Sequence, residues 1–183
     1  MITKYDDKTI YLQTKNTTYI MQINEHNHLE HIYYGNRIEP VKNIDDIKLK
    51  YEVELGSSTS YSKDAKGYQL NYKLLEYSTY GKGDYREPSL HLELPNGRRT
   101  IDLLFNELKL NQDIVHRSMP QAVKTNTMVI SLKDELNKIE VLLYYTVFFD
   151  FDVIVRNTKV INHNEDKIVL DKVLSMNIDM LNK

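Results

Sequence analysis

Apolar and polar residues alternate with a period of two along most of this chain. Ile10, Leu12 and Thr14 alternate with Tyr11 and Gln13, and Tyr19, Met21 and Ile23 with Ile20 and Gln22. A third run, Leu29, Ile32 and Tyr33-Tyr34, closes at Gly35-Asn36. Successive side chains of a strand point to opposite faces, so this rhythm predicts short β-strands joined by tight turns. Strands are predicted again at residues 68–77 and 89–94. Pro95-Asn96-Gly97 then predicts a hairpin, because Asn-Gly accepts the positive φ of such turns, with residues 101–110 as the return strand. Predicted strands 127–132 and 139–149 flank a turn at 133–138, and the second places Ile139, Val141, Leu143, Tyr145 and Val147 on one face. Strands 153–161 and 168–178 flank the polar turn 162–167.

No segment sustains apolar residues at i, i+3, i+4 and i+7 behind a cap, so helices are not expected. Some ten strands joined by polar turns predict an all-β fold, an antiparallel β-sandwich. The exception is residues 36–66, which hold Asp45-Asp46, alternating Lys48, Lys50, Glu52 and Glu54, and the run Gly56-Ser57-Ser58-Thr59-Ser60. A segment this long without strand character is expected to be a functional or mobile loop.

Composition narrows the function. At 183 residues the chain is read as one domain, 1–183, with a sizeable core. Its 24 basic and 26 acidic residues nearly cancel, which argues against nucleic acid or an anionic membrane as partner. The absence of cysteine rules out a disulfide framework, and the polar first 15 residues have no apolar signal core; a cytoplasmic protein is expected. The last predicted strand runs almost to Lys183, as in a piece of a longer polypeptide. The 14 tyrosines against no tryptophan suit half-buried strands and remove the preferred sugar platform.

Few residues suggest chemistry. His26, His28 and His31 lack a Cys, Asp or Glu at a familiar zinc spacing and read as surface histidines in a turn, so no metal is expected. Asp150 and Asp152 flank Phe151 and point to one side of a strand. They are either a glycosidase-type carboxylate pair or the polar face of a strand crossover. Gly81-Lys82-Gly83 lacks the third glycine and following helix of a nucleotide loop, and no cofactor is expected. The most distinctive stretch is Tyr77-Ser78-Thr79-Tyr80-Gly81-Lys82-Gly83-Asp84-Tyr85-Arg86-Glu87-Pro88. It has two readings. Arg86 forks onto a ligand while tyrosines stack on a sugar face, or the segment is a rigid corner with Arg86 bonded to Asp84, Glu87 or backbone carbonyls. A sugar-binding module working through Tyr77, Tyr80 and Tyr85 is a corresponding functional alternative.

Here the chain resembles the N-terminal domain of bacterial α-galactosidases of glycoside hydrolase family 36. The resemblance also takes in residues 11–22 and 29–35, Asn96-Gly97 with Asp102-Leu103, Val147-Phe148-Phe149-Asp150 through Asp152-Val153-Ile154-Val155-Arg156, and Leu174-Ser175-Met176. It implies part of a β-supersandwich that precedes a (β/α)₈ barrel, in an enzyme hydrolysing terminal α-1,6-galactosides such as melibiose and raffinose. It implies that the catalytic aspartates lie in the barrel, so no catalytic residue is assigned in this chain. It further implies a tetramer in which this domain lends a loop to a neighbour's active site, with Asp84, Tyr85 and Arg86 as substrate-adjacent candidates. Two stretches depart from the family pattern. The loop at 48–66 has no arginine and a serine-rich middle, and Ser118-Met119-Pro120-Gln121-Ala122 lacks the Gly-Leu that precedes Pro in relatives.

Overall fold

The computed structural model describes residues 1–4, 6–50, 59–112 and 126–178. Four strands, β1 (Ile2–Lys4), β2 (Thr9–Gln13), β3 (Thr17–Ile23) and β4 (Leu29–Asn36), form one sheet in sequence order. A second sheet holds β6 (Leu104–Leu110), β7 (Asn126–Asp134), β8 (Ile139–Phe148) and β9 (Val153–Asn162), again in order. The short strands β5 (Leu90–Glu93) and β10 (Val169–Val173) pair with each other. Every pairing between these strands is antiparallel, and the only helical pieces among the described residues are 3₁₀ turns at Ile44–Asp46, Leu70–Tyr72 and Phe149–Phe151. The fold is all-β, as the alternation predicts.

One apolar core draws on all three sheets. Ile10 faces Met21 and Leu12 faces Tyr19 across β2 and β3; Met128, Ile130 and Leu132 of β7 face Tyr145, Leu143 and Val141 of β8. All five residues predicted to share a face of β8 lie in this core. Burying each such side chain stabilises the fold by about 1.5–3 kcal/mol. Tyr11 and Ile20, on the opposite face of the first sheet, are buried as well. The irregular segment 37–50 crosses there: Ile38 O accepts from Gln13 Nε2, and Val41 N donates to the Tyr11 hydroxyl.

Three expectations need correction. Residues 68–77 do not form a strand; they hold the 3₁₀ turn and one isolated bridge, Leu75 to Glu30. The period-two apolar residues Tyr68, Leu70, Leu75 and Tyr77 are buried as expected, but by packing of an irregular segment onto the sheets. The turn at 94–98 closes, with Gly97 at φ 77° and Leu94 N donating to Arg98 O at 2.8 Å, yet the segment after it does not return along β5. Ile101 and Leu103 are instead drawn into the core, β6 pairs with β7, and β10 takes the place beside β5. Finally, Asp150 lies in the 3₁₀ turn and Asp152 in a left-handed conformation at φ 53°, so the two carboxylates share no strand face. The Asp152 carboxylate caps the β2–β3 turn, accepting from Asn16 N at 2.7 Å, Asn16 Nδ2 at 2.6 Å and Thr14 Oγ1 at 2.8 Å.

Candidate functional site

The stretch from Tyr77 to Pro88 folds around a two-residue turn. Gly81 and Asp84 exchange both backbone hydrogen bonds at 3.0 Å, and the residues between them, Lys82 and Gly83, have φ of 54° and 88°. Positive φ at both central positions matches the right-handed twist of paired backbone, and glycine meets that demand at least cost. Gly81 is also positive, at φ 104°, and a Cβ there would lie 2.6 Å from Thr100 Oγ1.

This turn aims its three candidate residues in different directions. Asp84 is buried, and Arg86 forks onto it with Nε at 2.9 Å from Oδ1 and Nη2 at 2.8 Å from Oδ2. The same Nη2 donates to the carbonyls of Leu70, at 3.1 Å, and Lys73, at 2.8 Å, pinning the turn to the 68–77 segment. Tyr85 points outward, 65% exposed, with its ring edge-on to Tyr80 at 5.6 Å. Tyr77 is buried in the core and presents no sugar platform. Arg86→Ala would leave Asp84 buried without its charged donor, and is expected to destabilise the domain by about 1–3 kcal/mol in urea unfolding. An unchanged midpoint, together with a raised KM in a full-length enzyme, would assign Arg86 to substrate instead.

Behind the turn lies a polar chain that no local sequence pattern marks. Lys82 Nζ sits over the Tyr61 ring at 4.7 Å and 3.1 Å from Asp102 Oδ2, to which the Tyr61 hydroxyl also donates at 2.6 Å. His28 Nε2 lies 3.0 Å from Asp102 Oδ1, and its Nδ1 lies 2.9 Å from the Tyr68 hydroxyl. Asn24 Nδ2 continues the chain to the Tyr68 hydroxyl and to Glu30, which pairs with Lys48 and Lys73. Burial alone would raise the Asp102 pKa, but the bonds from His28, Tyr61 and Lys82 outweigh it and hold the value at about 2. The chain fastens the 59–73 segment to the sheets. Its members lie up to 78 positions apart, between Asn24 and Asp102, which is why spacing could not reveal it.

The histidines are corrected accordingly: His28 and His31 are buried, and His26 is half-buried against Tyr68 with ring centres 4.0 Å apart. His31 points inward beside Tyr19, 3.7 Å from Glu76, and burial pushes its pKa below the usual imidazole value. Among the described residues no group of three or more His, Cys, Asp or Glu is disposed to hold a metal ion. The middle of the 48–66 loop, residues 51–58, and the 118–122 segment lie outside the described residues.

Comparison with known proteins places this arrangement. The family model described as the glycosyl hydrolase family 36 N-terminal domain matches residues 27–183. The chain is 28% identical over 190 residues to the α-galactosidase Mel36A of Lactobacillus acidophilus, covering 98% of this chain and 25% of that protein. Among solved structures, the α-galactosidase of Lactobacillus brevis superposes with a TM-score of 0.82 at 28% identity, over 94% of this chain and 24% of that one. A variant of the α-galactosidase AgaA from Geobacillus stearothermophilus, solved with raffinose, superposes with a TM-score of 0.84 at 25% identity, over 93% and 24%. The chain thus spans about a quarter of the length of these relatives. With its match covering most of the sequence and its β architecture shared throughout, this chain belongs to glycosyl hydrolase family 36, as an N-terminal domain.

Proposed function

We propose that this chain, residues 1–183, is the non-catalytic N-terminal domain of a longer α-galactosidase that hydrolyses terminal α-1,6-galactosides of the melibiose and raffinose type. The observation that carries this reading is the alignment of nearly the whole chain with only a quarter of each α-galactosidase. The candidate carboxylates are in keeping with it. Asp84 is taken by Arg86, Asp152 caps a turn, and Asp102 is held by His28, Tyr61 and Lys82. A glycosidase needs two carboxyl groups facing one open site, one of them free to carry a proton.

In this reading the domain supplies an oligomer interface, as part of a tetramer, and a wall of the active site. Asp84 and Arg86 hold the corner, and the outward Tyr85 is the side chain placed to meet substrate. Exposed apolar residues such as Phe151, Val169 and Leu170 are the type of surface that such interfaces cover. A cytoplasmic setting fits a fold built without cysteine. The test is direct: the purified chain, folded by far-UV circular dichroism, is expected to release no nitrophenol from nitrophenyl α-galactoside. Turnover that co-purifies with the chain and disappears on its depletion would overturn the proposal.

A further inference from the structure

A cleft of about 550 Å³ opens beside the Lys82 turn, between the 98–106 segment and the β7–β8 hairpin. Its shape is fixed from below. The buried Asp134 carboxylate accepts from Asn137 N at 2.9 Å and Asn137 Nδ2 at 2.7 Å, which sets the hairpin turn, and from Asp102 N at 2.8 Å, which sets the floor. The cleft therefore needs no rearrangement to accept a ligand, and little ordering entropy is lost on binding.

The lining indicates what fits. Three cations, Lys82, Arg98 and Lys133, share it with three carboxylates, Asp102, Asp134 and Glu135, so the formal charges cancel. Lys82 is paired with Asp102 at 3.1 Å, and Lys133 lies 4.0 Å from Glu135. Among the described residues, the Arg98 guanidinium, the Thr100 hydroxyl and the Asn27 carboxamide have no hydrogen-bond or ion-pair partner, and all three residues line the cleft. Phe105 and the 82% exposed Leu136 add apolar surface. The free groups are thus a mixture of donors and acceptors next to a small apolar wall. An anion would meet Asp102 and Glu135, and a cation would meet Lys133 and Arg98. A hydroxyl both donates and accepts, and suits such a mixture at no electrostatic cost.

We propose that this cleft is a binding site for a neutral, polyhydroxylated ligand of mono- to trisaccharide size, with Arg98, Thr100 and Asn27 as its hydrogen-bonding residues. The ligand class follows from the lining and does not depend on the enzymatic reading above.

The experiment is a titration of the ¹⁵N-labelled chain with raffinose and, in parallel, with glycerol 1-phosphate as an anionic probe. Raffinose is expected to produce saturable shifts centred on residues 98–106 and 134–137, with a Kd in the millimolar range. Arg98→Ala is expected to weaken this at least tenfold while leaving the melting temperature unchanged, because its guanidinium holds nothing in the fold. No saturable shift up to about 100 mM raffinose, where a millimolar site would be nearly full, would overturn the proposal. So would a response to glycerol 1-phosphate alone, or an Arg98→Ala chain that binds raffinose as tightly as the parent. These outcomes are separate from the absence of galactosidase turnover, which tests the domain assignment.

Discussion

Replacing Glu76 with alanine is expected to destabilise the domain by about 3–5 kcal/mol, the usual loss when one partner of a buried ion pair is removed. Glu76 is fully buried, and it joins the two large sheets. Its Oε2 accepts from the hydroxyl of Tyr19 on β3 at 2.6 Å, and its Oε1 from the hydroxyl of Tyr145 on β8 at 2.7 Å. Arg156 of β9 lies 2.8 Å away through Nη2, and its Nη1 donates to the Tyr19 hydroxyl at 3.2 Å. The Arg156 side chain is only 7% exposed. Alanine would strand a buried guanidinium and leave two buried phenols without their acceptor. In the intact cluster, burial and the neighbouring Glu76 charge raise both phenols well above their ordinary pKa, so the two hydroxyls keep their protons beside Arg156.

For a chain of this size the loss corresponds to a melting temperature lower by roughly 6–20 °C. Glu76→Met combined with Arg156→Met should recover only part of it, since no charge is then buried alone but the Tyr19 and Tyr145 hydroxyls still lack their acceptor. Urea unfolding of the parent and these two variants reads this directly. A Glu76→Ala variant within about 1 kcal/mol of the parent would show that water reaches the cluster and that the pin between the sheets is not a buried charge.

Acid is expected to remove about 2 kcal/mol of stability through Asp102 alone. Its folded pKa of about 2 lies below the ordinary 3.8, and each unit is worth about 1.4 kcal/mol. Its side chain is only 17% exposed, so solvent screens the contribution little. Because the folded value is depressed, the stabilisation is fully present above the unfolded value of 3.8 and fades as pH falls from there through 2. Asp6 and Asp152 are also depressed and weaken in the same direction, so the measurement is a difference between two proteins. Asp102→Asn should be less stable than the parent at pH 7 and converge with it toward pH 2. A constant offset down to pH 2 would mean that Asp102 acts by shape and hydrogen-bond count, not by charge.

The stretches legible in the sequence are those governed by local rules. The odd-numbered residues of β8 and the alternation in β2 and β3 fixed which faces meet the core, because a strand has no choice but to alternate. Gly97, Gly81 and Gly83 marked turns, because glycine takes positive φ at little steric cost. Where the reading failed, a distant partner had decided. Period-two residues at 68–77 were burial without a ladder, since Arg86 and the Glu30 bridge hold that segment in irregular form. The hairpin expected after Gly97 does not form: Ile101 and Leu103 enter the core, and β10 takes the place beside β5.

The β class and most strand faces of this family 36 domain follow from neighbours one or two positions apart, and its near-neutral charge follows from composition. That His28 meets Asp102, that Glu76 meets Arg156, and that Arg98, Thr100 and Asn27 border one cleft emerges only when the chain is folded. Those meetings depend on how two sheets stack and where an irregular segment crosses them. Contacts between residues dozens of positions apart leave no periodic trace in the order of amino acids.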